Sequence, residues 1–326
     1  MPDSFCLDFM DTEISRRMPA WEWRRLLELR DRPTFLEGLQ TYDALIPSHF
    51  SHNTILNKVV TEAQRFEMLV YALYLYDTRN PEDPRSGLTL ANLQRLCKQQ
   101  NCASAGRVAA ILGIMRLGGY LNSRPADKDS RVNYLAPTSE FIEIVEAWNQ
   151  AIFAIIDAAS PGEHLAKRHV TEERFGWNMR TRGGAEVIAG WHLLDAFEEV
   201  AYFVDHDGGW MLLLRCVAAS YDLGSGKDIA PVSIDLHQFG KQFGVSRSHL
   251  RRLLEDAHRA GLLKEPPRNG SNIVLSQKLV ASFLTCMASE LSFYRANALG
   301  LPGWIANEGE TRVGGIQARR KLFGAD

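Results

Sequence analysis

Arg247, Arg251 and Arg252 fall within six residues of one another, interleaved with Ser246 and Ser248. Between and beyond them Leu250, Leu253, Leu254 and Ala257 recur at i, i+3, i+4 and i+7, so on a helix the apolar residues share one face. The three arginines then lie on the opposite face with Ser248, Glu255 and Arg259. Guanidinium groups on a helix slim enough for a major groove can neutralise phosphates, and Arg251 or Arg252 can read guanine through two parallel hydrogen bonds. Ser246 and Ser248, beside the free amides of a helix start, can hold a phosphate oxygen. The chemistry on offer is recognition of duplex DNA. An isolated cluster of this kind is as a rule only a solvated helix face, so its surroundings decide.

Those surroundings form a pattern across residues 232–275. Leu236, Phe239, Gln242 and Phe243 keep helical spacing, Gly244 can take the left-handed conformation that ends a helix, and Ser246 can cap the next. After Gly261, Leu262-Leu263-Lys264 reads as a short strand. Pro266, Pro267 and Asn269-Gly270 make a turn, and Asn272-Ile273-Val274-Leu275 reads as the returning strand, with Lys264 and Arg268 as its cations. Helix, turn, helix and hairpin make a winged helix.

Residues 88–138 repeat this feature. Leu93, Leu96 and Lys98-Gln99 match Leu236, Phe239 and Lys241-Gln242 at an offset of 143. One residue later in the turn, Ser104, Val108, Ile111, Leu112, Met115 and Gly119 match Ser246, Leu250, Leu253, Leu254, Ala257 and Gly261 at 142. An internal duplication accounts for this. The first copy's outer face is different in kind: Ala105, Gly106, Arg107, Ala109 and Gly113 precede its next cation, Arg116. Small residues permit a close approach to DNA; they equally fit a copy that has lost base reading, and both readings stay open.

Around the copies, residues 19–30 and 33–42 read as short helices, 54–76 as one long helix, and 138–159 and 277–299 as matching amphipathic helices. Residues 163–184 are polar and Arg-rich, a linker or short helices, before helices at 185–203 and 210–221. Residues 302–326 carry Arg319-Arg320-Lys321 near their end and read as a tail.

Composition sets bounds. The 326 residues, 45% hydrophobic and 10% aromatic, can fill two cores, and no stretch has signal-peptide or membrane-spanning character. A soluble cytoplasmic protein without a membrane partner is the expectation. Net charge is −2, but residues 88–138 hold seven Lys and Arg against two Asp and Glu, and residues 232–268 seven against four. Two basic modules thus sit on an acidic remainder. Cys6, Cys97, Cys102, Cys216 and Cys286 are scattered and odd in number, which predicts reduced thiols and no zinc pairs. Gly224-Ser225-Gly226-Lys227-Asp228 lacks the leading glycine and the Ser or Thr of a phosphate loop. His192, Asp195, Glu198, Glu199, His206 and Asp207 have near-ligand spacing, although a solvated helix face is the commoner origin of such spacing. No catalytic residue, cofactor or metal is expected, and no enzymatic reaction is implied.

Gly119-Tyr120-Leu121, Asp129-Ser130-Arg131, Leu135 and Thr138 resemble the wing of MarR-type transcriptional regulators, where an Asp-x-Arg element is followed by a Leu-Thr opening a dimerisation helix. Ala136 and Pro137 here separate the Leu from the Thr, a departure from that spacing. The resemblance covers about fifty residues well. It implies that Arg124, Lys128 and Arg131 belong to a DNA-contacting wing, Arg131 at the tip reaching a minor groove. The second copy lacks the Asp-x-Arg and has Lys264, Arg268 and Asn269-Gly270 instead. Such regulators are homodimers with one winged helix per chain, so two copies in one chain imply a fused pseudo-dimer, either alone or as a homodimer. They also bind small aromatic or phenolic effectors between lobes and dimerisation helices. Trp148, Trp191, Trp210, Tyr202 and Tyr221 lie in or beside those helices, although aromatics at helical spacing are more often core than pocket.

The expectation is therefore a mainly α fold with small β-wings: two winged helix-turn-helix domains in tandem, joined by long helices. Its segments are an N-terminal helical extension (residues 1–50), a first winged-helix domain (51–160), a linker (161–184), a second winged-helix domain (185–300) and a tail (301–326). Its function is transcriptional regulation on double-stranded DNA through Ser246, Arg247, Ser248, Arg251, Arg252, Lys264 and Arg268, and through Ser104, Arg107, Arg124, Lys128 and Arg131. Tandem winged helices also resemble plasmid replication initiators, and winged helices serve too as protein-interaction modules without DNA.

Overall fold

The computed structural model describes residues 26, 28–50, 54–60, 62–83, 85–125, 132–220, 229–268 and 272–301. Among these the chain is mainly helical, with one small antiparallel sheet. The elements in order are α1 (Pro33–Phe50), α2 (Thr54–Val60), α3 (Ala63–Asp77), α4 (Leu90–Gln99), α5 (Ala105–Leu117), β1 (Leu121–Pro125), β2 (Asn133–Pro137) and α6 (Ser139–Ala159). There follow α7 (Leu165–Thr171), α8 (Phe175–Ile188), a 3-10 turn (Leu193–Ala196), α9 (Glu198–Val204), α10 (Gly209–Ser220), α11 (Leu236–Phe243), α12 (Arg247–Arg259) and α13 (Gln277–Leu299).

The helix starts are chemically specified. Thr89, Ser104, Thr138, Asp235, Ser246 and Ser276 each accept a backbone N–H of the first turn they precede, at α4, α5, α6, α11, α12 and α13. Strands β1 and β2 pair in register from Leu121 with Pro137 to Pro125 with Asn133. In the second half the corresponding region makes isolated bridges, Leu263 with Leu275 and Val232 with Ile273. Leu262-Leu263-Lys264 is thus less regular than a strand, although Lys264 N–H still bonds the Val274 carbonyl at 2.8 Å. The Asp129-Ser130-Arg131 wing tip, with Lys128, and the Asn269-Gly270 turn lie outside the described residues, as do Cys6, Tyr221, Gly224 to Asp228 and the tail after 301.

The two halves interlock. Helix α1 packs on α6, the last helix of its own half, and on α10 of the other; α8 packs on α13, the last of its half, and on α3 of the other. Helices α6 and α13 also touch, closing the core at the centre. This exchange explains why 161–184, expected as a linker or short helices, is packed α7 and α8: Leu165, Phe175 and Met179 enter the core, and small residues allow close approach beside them. A Cβ on Gly183 would stand 3.3 Å from the Phe293 ring of α13, and one on Gly184 would stand 2.9 Å from Tyr74 of α3. Two other expectations need correction. The single helix over 54–76 is broken where Glu62 takes an extended backbone (φ −132, ψ 138), and the helix over 185–203 ends where Gly190 takes φ +112. Apolar periodicity runs through both breaks, so it does not mark them.

No helix among the described residues is long and apolar enough to cross a membrane. Cys97, Cys102, Cys216 and Cys286 are free thiols and buried.

Candidate nucleic-acid interface

Helices α11 and α12 meet in a turn closed by three local devices. Gly244 takes φ +70, Val245 N–H bonds the Gly240 carbonyl at 2.9 Å, and Ser246 Oγ accepts His249 N–H at 3.1 Å. The approach is close enough that a Cβ on Gly240 would fall 2.3 Å from the Val245 carbonyl oxygen. Leu250, Leu253, Leu254 and Ala257 are buried against Leu236, Phe239 and Phe243. Burying each of these leucine and phenylalanine side chains is worth about 1.5–3 kcal/mol, which fixes the rotation of α12 about its axis. That rotation leaves Ser246, Arg247, Ser248, Arg251 and Arg252 exposed along one face, with Lys264 and Arg268 exposed beyond its end.

The cations of this face are lightly held. Arg251 Nε lies 3.4 Å from Glu255 with both side chains about half exposed, an exposed pair worth at most ~1 kcal/mol. Asp235, at the start of α11, is held below the usual carboxylate range by the backbone N–H of Gln238 and then of His237. It is therefore a fixed anion at the edge of the surface.

The first half repeats the turn bond for bond. Cys102 N–H bonds the Cys97 carbonyl at 3.0 Å, Asn101 takes φ +52, and Ser104 Oγ accepts Arg107 N–H at 3.3 Å. The far end repeats as well: Gly119 and Gly261 have φ +77 and +75, and Tyr120 and Leu262 N–H bond the Met115 and Ala257 carbonyls. Val108, Ile111, Leu112 and Met115 are buried, and Ser104, Arg107 and Arg124 are exposed.

Arg107 is nevertheless engaged. Its Nη2 donates to Glu62 Oε2 at 2.6 Å and its Nη1 to Gln64. The Glu62 side chain is only 5% exposed and is also paired with Arg65 at 2.9 Å; Arg65 in turn pairs with Asp207 of the other half. Asp207 lies against His249, the residue that the repeat equates with Arg107. Burial, then the neighbouring His206, lowers the His249 pKa, and its Nε2 is buried without a hydrogen-bond partner. The starts of α5 and α12 are thus joined by a chain of polar contacts that local sequence patterns do not reveal. The one available signal is the repeat itself, which aligns His249 with Arg107.

Of the drawn metal ligands, His192 faces Glu67 at 3.6 Å, Glu199 pairs with Lys278 and accepts from Ser282, and His206 bonds the Tyr202 carbonyl. They do not converge, and among the described residues no group of three His, Cys, Asp or Glu could hold a metal. Of the aromatics considered for an effector, Trp148, Trp191 and Trp210 line a cavity between the halves. Tyr202 instead packs under α12, its hydroxyl donating to the Leu253 carbonyl at 3.3 Å.

Set against known proteins, no family model matches the chain, and no curated protein or solved structure matches it significantly.

Proposed function

We propose that the chain is a transcriptional regulator that binds double-stranded DNA through two unequal winged-helix domains fused in one chain, in the manner of a MarR-type dimer. Helix α12 enters the major groove, with Arg251 and Arg252 at base edges, and Arg247, Ser246 and Ser248 at phosphates. Lys264 and Arg268 follow the backbone from the second wing. The observation that carries this reading is the contrast between equivalent helices. The α12 face presents Arg247, Arg251 and Arg252 to solvent, whereas α5 has alanine at the three equivalent positions and its one early cation, Arg107, is drawn back onto buried Glu62. Ser104, Arg107, Arg124, Lys128 and Arg131 are the subordinate half of the interface.

The hydrogen-bond pattern supports the winged-helix assignment in both halves. Ile273 N–H bonds the Val232 carbonyl at 2.8 Å, and Leu135 N–H bonds the Leu88 carbonyl at 2.9 Å, so in each half the residue just before the first turn helix is tied to the returning segment. Two unequal readers in one chain remove the need for identical half-sites. The preferred operator is therefore imperfectly palindromic or non-palindromic.

Fluorescence anisotropy with labelled mixed-sequence duplex at low salt, followed by selection of the bound sequences, tests the reading. Binding whose log affinity falls steeply with log salt, together with an asymmetric selected site, is expected. Folded protein that binds no duplex at low salt would reject it in favour of a protein-interaction module. Iterated sites would point to a replication initiator.

A further inference from the structure

A cavity of about 310 Å³ lies where the two halves meet, at the lower end of the range for small-ligand sites. Helices α3, α6, α8, α10 and α13 contribute its wall, and its aromatic lining includes Phe66, Trp148, Trp191, Trp210, Phe293 and Tyr294. Trp191 stacks on Phe293 at 3.8 Å between ring centroids and 14° between planes, so that part of the wall is flat.

The charged groups that line this cavity each have, with one exception, an ionic or hydrogen-bonded partner in the protein, although Glu62 Oε1 is buried without a hydrogen bond. Glu62 is bonded to Arg65 and Arg107, and Arg180 is bonded to Asp77 and Glu146. Glu67 accepts from the Tyr71 hydroxyl at 2.5 Å and faces His192. Glu290, on α13, is the exception: among the described residues none donates a hydrogen bond to it and no cation pairs with it. The titratable groups that feel its charge are Tyr42, Cys286 and Tyr294, all acids, and all shifted upward by burial and then by Glu290 itself. The protein encloses Glu290, yet it keeps some accessible surface because it lines the cavity. Desolvation pushes its pKa up to about 7. Nearby on the wall, the Asn149 amide nitrogen is buried without a hydrogen-bond partner.

A carboxylate held in an apolar, aromatic enclosure without a partner is costly, and the cost is removed when a cation enters. Aromatic faces add to that attraction, since a cation over an indole or phenol ring is drawn to its negative face. The geometry points to a binding site for one small lipophilic organic cation, such as an aromatic amine or quaternary ammonium compound, with its charge on Glu290 and its apolar body against Trp148, Trp210 and Tyr294. The cation is the effector of the proposed regulator and to that extent rests on that reading. Occupancy does not depend on DNA and is measured without it, so the two can fail separately.

Isothermal titration of the full chain at pH 8 uses phenyltrimethylammonium, its neutral isostere tert-butylbenzene, and benzoate. One cation per chain is expected, with the neutral isostere at least tenfold weaker and benzoate weaker still. Glu290→Gln is expected to lose at least tenfold in cation affinity while binding tert-butylbenzene as the wild type does, which also shows that the cavity has folded. Trp148→Leu, on a different element, is expected to lower cation affinity more than neutral affinity. The proposal is overturned by any of three results: cation affinity unchanged in Glu290→Gln, tert-butylbenzene or benzoate binding as tightly as the cation, or no saturable cation binding at millimolar concentration.

Discussion

Glu290→Gln tests the electrostatics of the central cavity through stability alone. A glutamate whose carboxyl titrates at 4.5 in the unfolded chain and at about 7 in the folded one binds its proton more tightly when folded. It therefore contributes stability that is fully present below pH 4.5 and is lost as the pH rises through 7. At ~1.4 kcal/mol per pH unit, the whole contribution is roughly 3 kcal/mol. Glutamine keeps the shape and removes the titration. Urea unfolding followed by circular dichroism should place the two proteins within about 1 kcal/mol of each other at pH 5 and show the variant about 3 kcal/mol more stable at pH 8. His169 and His249, whose pKa values burial lowers, titrate in both proteins and cancel in the difference. A gap of the same size at both pH values, or none at pH 8, would refute the reasoning, because Glu290 would then have found water or a partner.

Two further perturbations probe the turn and the engaged arginine. Gly240→Ala should destabilise the protein by about 1–3 kcal/mol, because the added Cβ meets the Val245 carbonyl, even though alanine is the better helix former; a raised melting temperature would contradict this. Glu62→Gln should release Arg107 to solvent, steepening the salt dependence of DNA binding by about one phosphate contact, and should lower stability because Arg65 loses one of its two carboxylates and keeps only Asp207. An unchanged salt slope would mean that Arg107 does not reach DNA even when freed.

The turn of α11 and α12 was legible because its chemistry is local: Gly244 for the left-handed residue, Ser246 for the cap, and the 3.6-residue rhythm of Leu250, Leu253, Leu254 and Ala257. Helices α6 and α13 were legible for the same reason, a cap followed by a sustained apolar run. The breaks at Glu62 and Gly190 were not, since apolar spacing persists across them while the backbone turns. Helix α8 was obscured because its two core side chains, Phe175 and Met179, stand beside Gly183-Gly184 and an Arg180 paired with Asp77, features that read as polar and flexible in one dimension. The chain from Arg107 through Glu62, Arg65 and Asp207 to His249 is nonlocal and leaves no short motif. Glu290 did leave one: it is the only charged residue between Leu279 and Tyr294, and a lone acid in so long an uncharged helical stretch is a recognisable sign of a site.

The central claim is that α12 is the dominant DNA reader and α5 the subordinate one. Titration of the selected duplex with Arg251→Ala/Arg252→Ala and with Arg107→Ala tests it most directly. Losing a bidentate base contact costs about 1–3 kcal/mol, so the double variant should bind at least tenfold more weakly. Arg107→Ala should stay close to the wild type. Equal losses in the two variants would contradict the asymmetry, and no loss in the double variant would remove α12 from the interface.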